Sequence, residues 1–115
     1  MALVVKQSGE KHFTRDFGGG TISDRVIVSA LDGCPCEVRI FKPKAGFCPG
    51  ENVIHTRNEL VVVLSGKIQV SRGDMTHVLG SGGKYFVDAG TPTTFIALED
   101  SELLLDFHGS LPEGE

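Results

Sequence analysis

Short apolar runs separated by glycine-rich turns make up most of the sequence. Residues 36–41 alternate, with Cys36, Val38 and Ile40 on one face and a polar or aromatic residue between each, which is the period of a half-buried strand. Residues 60–64 are apolar without a break, as in a strand covered on both faces. Further strands are predicted at 25–30, 67–71, 76–79, 85–87, 93–98 and 103–107, and the apolar run 2–6 is suited to an edge or arm strand.

No segment shows a convincing helical period over two turns. Eight or nine short strands, with fifteen glycines and five prolines to form turns, therefore predict an all-β sandwich or barrel. The length of 115 residues predicts a single domain over 1–115. Residues 7–16 are polar with no clear period and 17–21 predict a loop, so about 1–24 is expected to form an N-terminal arm and about 109–115 a frayed tail.

Charge and cysteine content exclude several classes of partner. The net charge is −4 and there is no basic stripe to meet phosphates, so no nucleic-acid partner is expected. No apolar run approaches the roughly 20 residues that span a bilayer, and the N-terminus does not have the pattern of a signal peptide. Cys34 and Cys36 stand too close together for a disulfide and, with Cys48, predict reduced thiols in a cytoplasmic protein.

One stretch carries the clearest motif. His55, three spacers, Glu59, six spacers and Gly66 follow the second half of the first motif of the cupin superfamily, and Val53 stands where that motif has its first histidine. Further on, Gly82, five spacers, Asp88, one residue, Gly90, two spacers, Thr93, three spacers and Ala97 follow the spacing of the second motif. In that second motif, Asp88 replaces the proline, Thr93 the histidine and Ala97 the asparagine.

The chain thus resembles the cupin superfamily over about residues 38–107. The resemblance implies a conserved double-stranded β-helix, that is, a jelly-roll barrel with its site in the barrel mouth. It also implies a metal ligand set at Val53, His55, Glu59 and Thr93. Valine offers no lone pair and neutral threonine is a poor ligand, so only His55 and Glu59 remain. These two would hold a divalent metal weakly, and we expect no firmly bound cofactor.

The two-residue period of strands suggests which residues line the barrel. If Glu59 faces inward, so does Val61, and if Thr93 faces inward, so does Phe95. With Val53, these residues form an apolar lumen that has few polar groups and suits a small molecule, although a barrel filled by its own side chains would have the same composition. Arg57 shares the face of His55 and Glu59 if the segment is extended, and is otherwise a solvated loop charge.

Three functions remain open. The first is a small-molecule-binding barrel in which His55 and Glu59 are polar anchors or a metal-independent, isomerase-like acid/base pair. The second is a metal-dependent dioxygenase, lyase or isomerase, whose ligand set is completed by His77, His108 or Cys48. The third is a non-catalytic structural or regulatory dimer module.

The strand period also predicts assembly. Leu60, Val62 and Leu64 face away from Glu59, and Thr94, Ile96 and Leu98 form a second outward row. Two apolar rows are too much for one small barrel to leave in water. They predict a two-fold symmetric homodimer. In this dimer the N-terminal strand of one protomer is added to the sheet of its partner. The alternative is that residues 7–24 cover one row and the protein stays monomeric.

Overall fold

The computed structural model describes residues 11–17, 20–29 and 36–108, which form nine antiparallel strands. The strands are β1 Lys11–Phe17, β2 Gly20–Val28, β3 Cys36–Lys42, β4 Asn58–Ser65, β5 Ile68–Arg72, β6 Met75–Leu79, β7 Lys84–Val87, β8 Thr94–Ala97 and β9 Glu102–His108. The all-β prediction is confirmed. Among the described residues, no helix is long and apolar enough to cross a membrane.

Two sheets face each other. Six strands form one sheet in the order β1-β2-β3-β9-β4-β7, and three form the other in the order β6-β5-β8. β9 lies between β3 and β4, so residues far apart in sequence become neighbours: Glu37 and Glu59 both lie opposite Phe107. This register is what assembles the site described below.

The N-terminal part departs from the sequence expectation. Residues 7–16 show no period, yet Lys11–Phe17 is a strand that pairs with β2, and β2 begins at Gly20 rather than at Arg25. The loop predicted at 17–21 is therefore shorter, because Phe17 pairs with Gly20. Ladder hydrogen bonds formed with a neighbouring strand override the weak local pattern. The expected strand at 2–6, the thiol of Cys34 and the tail at 109–115 lie outside the described residues.

Alternation along β4 decides what the barrel encloses. Val61 and Val63 are each 1% exposed, and they pack with Ile68 and Leu103 at the centre of the core. Glu59 belongs to the same inward row. Leu60 and Val62 are half-buried on the opposite face, and Leu64 is exposed, as the two-residue period predicts.

An aromatic cluster closes one end of the barrel. Phe47, which lies in the loop between β3 and β4, contacts Phe41 edge-on at 5.5 Å between ring centroids and Phe95 at 6.4 Å. The fully buried Ala97 packs against the same rings. Aromatic packing of this kind adds to the stabilisation from burial. It leaves the opposite end, where β4 begins, for the polar groups.

Candidate functional site

A histidine and a buried glutamate meet where the chain enters β4. The Nε2 atom of His55 lies 3.7 Å from Oε1 of Glu59, an ion-pair distance rather than a hydrogen bond. The side chain of His55 is 37% exposed, whereas that of Glu59 is only 7% exposed. The pair therefore joins a group that solvent or a ligand can reach to one that the barrel encloses.

Burial controls the protonation of Glu59. Desolvation raises the pKa of this carboxyl above its ordinary value of 4.5, although the positive charges of His55, Arg57 and Arg39 act in the opposite direction. Loss of water outweighs the nearby charges because the carboxylate cannot be solvated inside the barrel. A carboxyl held closer to neutrality in this way can both give and accept a proton, which is a property of catalytic acids and bases.

Two arginine side chains pack over the ring of Phe107 beside this pair. The guanidinium carbon of Arg57 lies 4.7 Å from the ring centroid of Phe107, and that of Arg39 lies 5.7 Å from it. Both contact Glu37: Nε of Arg39 donates to Oε2 at 2.7 Å, and a terminal nitrogen of Arg57 lies 3.6 Å from the same oxygen. The ring of His55 approaches Phe107 edge-on, with 6.3 Å between centroids. Cation–π contacts fix both guanidinium groups at the site.

Sequence reasoning missed several members of this group. Glu37, Arg39 and Phe107 lie on β3 and β9, and Tyr85 on β7. Their positions depend on strand register, which the sequence does not contain. One signal was present: Glu37 and Arg39 share a strand face with Phe41, and charges that share a face with a core aromatic residue can line a cavity.

The remaining candidate residues divide into two groups. Val53 and Thr93 form an isolated antiparallel bridge, with the amide of Val53 donating to the carbonyl of Thr93 at 2.7 Å and the reverse bond at 3.0 Å. Val61 belongs to the core cluster, and Phe95 packs against that cluster. The structure thus brings His55, Arg57 and Glu59 together, and it places Val61 and Phe95 in the packed interior. Arg57 is only 12% exposed at its side chain, so it is not a solvated loop charge.

The donor set does not fit a firmly bound metal. The bridge places Val53 and Thr93 side by side, but neither side chain is a useful ligand for a divalent cation. No group of three histidine, cysteine, aspartate or glutamate side chains suited to a metal occurs in the described residues. The charges of Arg57 and Arg39, which act on the carboxyl of Glu59, also oppose a cation there. We therefore derive no step through a metal.

The side chains suggested as additional ligands lie elsewhere. His108 is on the opposite face of β9 from Phe107, and its Nε2 contacts Oδ2 of Asp106 at 2.9 Å. Cys48 is exposed, and its thiol contacts the carbonyl of Gly50 at 3.6 Å. His77 lies on β6 in the other sheet, along a groove that also contains Thr93. None of the three joins His55 and Glu59 in a metal-binding group.

The architecture is that of the cupin barrel, so the jelly-roll fold expected from the sequence is confirmed. Solved structures similar to this chain include an RmlC-like cupin from Shewanella frigidimarina, with 16% sequence identity, a TM-score of 0.70 and 87% of this chain matched to 86% of that one. KdgF from Halomonas sp. matches at 20% identity and a TM-score of 0.69, over 87% of this chain and 90% of that one.

A third similar structure is HppE in its iron(II) form. FeII HppE matches at 16% identity and a TM-score of 0.72, and the match covers 92% of this chain but 60% of HppE. No protein-family model matches the chain, and no curated protein does. The comparisons thus establish the fold, which supports several functions, and the chemistry must be argued from the site.

Proposed function

We propose that this barrel binds a small molecule at its mouth and that His55 and Glu59 form a metal-independent acid/base pair. The observation that carries the proposal is the buried carboxyl of Glu59 set 3.7 Å from a partly exposed imidazole. Both groups are suited to proton transfer: burial raises the pKa of the Glu59 carboxyl, and the ring nitrogens of His55 can donate or accept a proton.

The reaction class that suits this pair is a proton transfer with no net oxidation. One group removes a proton from a carbon next to a carbonyl, and the other returns a proton to a neighbouring atom, so the product is an isomer. Phe107 supplies an apolar surface beside the pair, and Arg57 and Arg39 supply positive charge close to it. Positive charge beside a developing enolate oxygen stabilises that oxygen.

The proposal is tested with a panel of small carbonyl compounds in heavy water. Nuclear magnetic resonance (NMR) of the protein reports binding, and loss of the ligand's carbon-bound hydrogen signal reports exchange. Removing the acid/base groups in Glu59→Gln and His55→Gln should weaken binding roughly tenfold and slow the exchange by roughly 10²- to 10⁴-fold. Matched controls are Glu99→Gln, an exposed glutamate paired with Lys67, and His108→Gln on the outer sheet face.

Three results decide among the possibilities. Binding and exchange that both depend on His55 and Glu59 support the proposal. Binding without exchange supports a non-catalytic binding protein. Exchange that proceeds equally well in the two site variants and the two controls contradicts the acid/base assignment.

A homodimer is our second proposal, and the outer face of the six-stranded sheet supports it. Val38, Leu60 and Val62 are half-buried there, and Phe86, opposite Leu60 on β7, is 56% exposed. The same face holds Asp106, whose buried Oδ1 has no hydrogen-bond partner in the described part of the chain. A second copy that covers this face would remove its apolar area from water.

Light scattering at micromolar concentration measures the mass directly. The dimer predicts about twice 12.3 kDa for the wild type. Phe86→Lys places a charge on the face and should shift the mass toward the monomer, whereas Thr76→Lys, on the three-stranded sheet, should not. A wild-type mass near 12.3 kDa that does not rise with concentration would rule the dimer out.

A further inference from the structure

The barrel has an open seam between the edges of its two sheets. In the described residues, β7 is an edge strand of the six-stranded sheet and β6 an edge strand of the three-stranded one, and the two do not pair. A groove of about 320 Å³ lies along this seam. That volume is at the lower end of the range for small-molecule sites. Its walls include Val70, His77, Tyr85, Phe86, Val87 and Thr93.

Tyr85 is the unusual member of the groove. Burial raises the pKa of this phenol far above its ordinary value of 10.0, which favours the neutral hydroxyl. Within the described residues the hydroxyl makes no hydrogen bond, although its ring packs against the core. The hydroxyl is not one of the fully enclosed unpaired atoms of the described residues, so it keeps surface that a hydrogen-bond partner can reach. The groove is the space from which a partner could reach it.

Strand pairing brings two residues of the groove wall next to Glu59. Val87 lies opposite Glu59 and Tyr85 lies opposite Val61, so Tyr85 is the diagonal neighbour of Glu59 on the inner face. Such neighbours stand roughly 7–8 Å apart, within reach of an aromatic side chain. Consistent with this, the charge of Glu59 contributes, after burial, to the raised pKa of Tyr85. A molecule in the groove can therefore contact Tyr85 and approach Glu59 together.

We propose that the seam groove is where the ligand of this barrel binds, and that the Tyr85 hydroxyl donates a hydrogen bond to an oxygen of that ligand. This inference deepens the proposed function and rests on it. Thr93, whose side chain also lines the groove, supplies a second hydroxyl. Tyr85 is a binding residue here, and proton transfer is left to His55 and Glu59.

The chemistry of the walls defines the class of ligand. Tyr85, as a neutral donor, suits an uncharged carbonyl, ether or hydroxyl oxygen. Val70 and Val87 suit an apolar ring or short chain. Arg72 and Asp88 at the groove carry opposite charges, so the walls give no net preference for an ion. The ligand is thus a small, uncharged, oxygen-bearing molecule about the size of one ring.

Cyclohexanone is a suitable probe because it has one carbonyl on an apolar ring. The chain has one tyrosine, so carbon-13 labelling of that residue gives ring signals that need no assignment. We expect cyclohexanone to shift these signals and the amide signals of β6 and β7. Tyr85→Phe removes only the hydroxyl and should weaken binding roughly 3- to 10-fold, as for one neutral hydrogen bond, with the unfolding midpoint unchanged.

Three further variants separate the possible outcomes. Thr93→Val should also weaken the binding of cyclohexanone, whereas Thr76→Val, on the outer face of β6, should leave it unchanged. No shift of the tyrosine signals up to the solubility of cyclohexanone, or equal affinity in Tyr85→Phe and wild type, overturns the inference. If Glu59→Gln weakens the binding of cyclohexanone while Tyr85→Phe does not, the inference about Tyr85 fails and the proposed function stands. If neither variant weakens it, both fail.

Discussion

Replacing Gly66 with alanine should destabilise the protein by about 3 kcal/mol or more, from left-handed backbone strain and overpacking together. Gly66 has a φ of +90°, a conformation that side-chain-bearing residues rarely adopt. A Cβ atom built there would collide with the hydroxyl of Ser101 and lie 2.6 Å from the carbonyl oxygen of Asp100. The colliding atoms are largely backbone, so they cannot rotate away.

Ser101 explains why this turn cannot easily adjust. Its hydroxyl accepts a hydrogen bond from the amide of Lys67 at 3.1 Å and donates to the carbonyl of Glu99 at 2.8 Å. The side chain is buried and joins the β4–β5 turn to the turn before β9. An added methyl group at Gly66 would break this link as well as strain the backbone.

Gly82 provides the matched control. Its φ of +85° is nearly the same, but no atom lies within 4 Å of a Cβ built there. Gly82→Ala should therefore cost only the conformational strain, about 1 kcal/mol. Urea unfolding of both variants measures the difference. Equal losses would mean that the contact with Ser101 does not restrict the turn.

The second large effect concerns pH. Because burial raises the pKa of Glu59, the protonated carboxyl is favoured in the folded state. The stabilisation that comes from this raised pKa is fully present below the ordinary value of 4.5. It is lost as the pH rises through the pKa that Glu59 has in the folded state. Each unit of elevation corresponds to about 1.4 kcal/mol lost at neutral pH. Glu59→Gln should therefore stabilise the protein at neutral pH and have little effect in acid.

The measurement is the free energy of unfolding against pH for the wild type, Glu59→Gln and the exposed control Glu99→Gln. Subtracting the variant curve from the wild-type curve cancels the other titrating groups, including Asp100, whose pKa is lowered by the amide of Ala45. We expect Glu59→Gln to become more stable than the wild type, by a margin that increases as the pH rises. For Glu99→Gln, the difference in free energy of unfolding from the wild type should not change with pH. A difference that favours the wild type at neutral pH would mean that the neighbouring cations outweigh burial.

The sequence predicted the barrel because its signals are local. Alternation along β3 and β4 assigned side chains to faces, and Glu59 with Val61 and Val63 does point inward. The motif glycine at 66 marks a turn that requires a positive φ. These features depend on residues one to seven positions apart, which a sequence displays directly.

The site was only partly predictable because it depends on strand order. His55, Arg57 and Glu59 were found because they lie on one segment. Glu37 and Phe107 join them because β9 pairs with both β3 and β4, a pairing across some seventy residues between β3 and β9. Tyr85 reaches Glu59 through the β4–β7 register. No local period contains this information.

We propose that Glu59 is a desolvated carboxyl beside His55 that exchanges a proton at the mouth of the barrel. The most direct test of this proposal is a carbon-13 NMR titration of the side-chain carboxyl carbons, with Glu59 assigned by its loss in Glu59→Gln. We expect Glu59 to titrate above the ordinary value of 4.5 and His55→Gln to raise its pKa further, because an attractive positive charge is removed. A Glu59 carboxyl that titrates at or below 4.5 would contradict the proposal that burial dominates at this group.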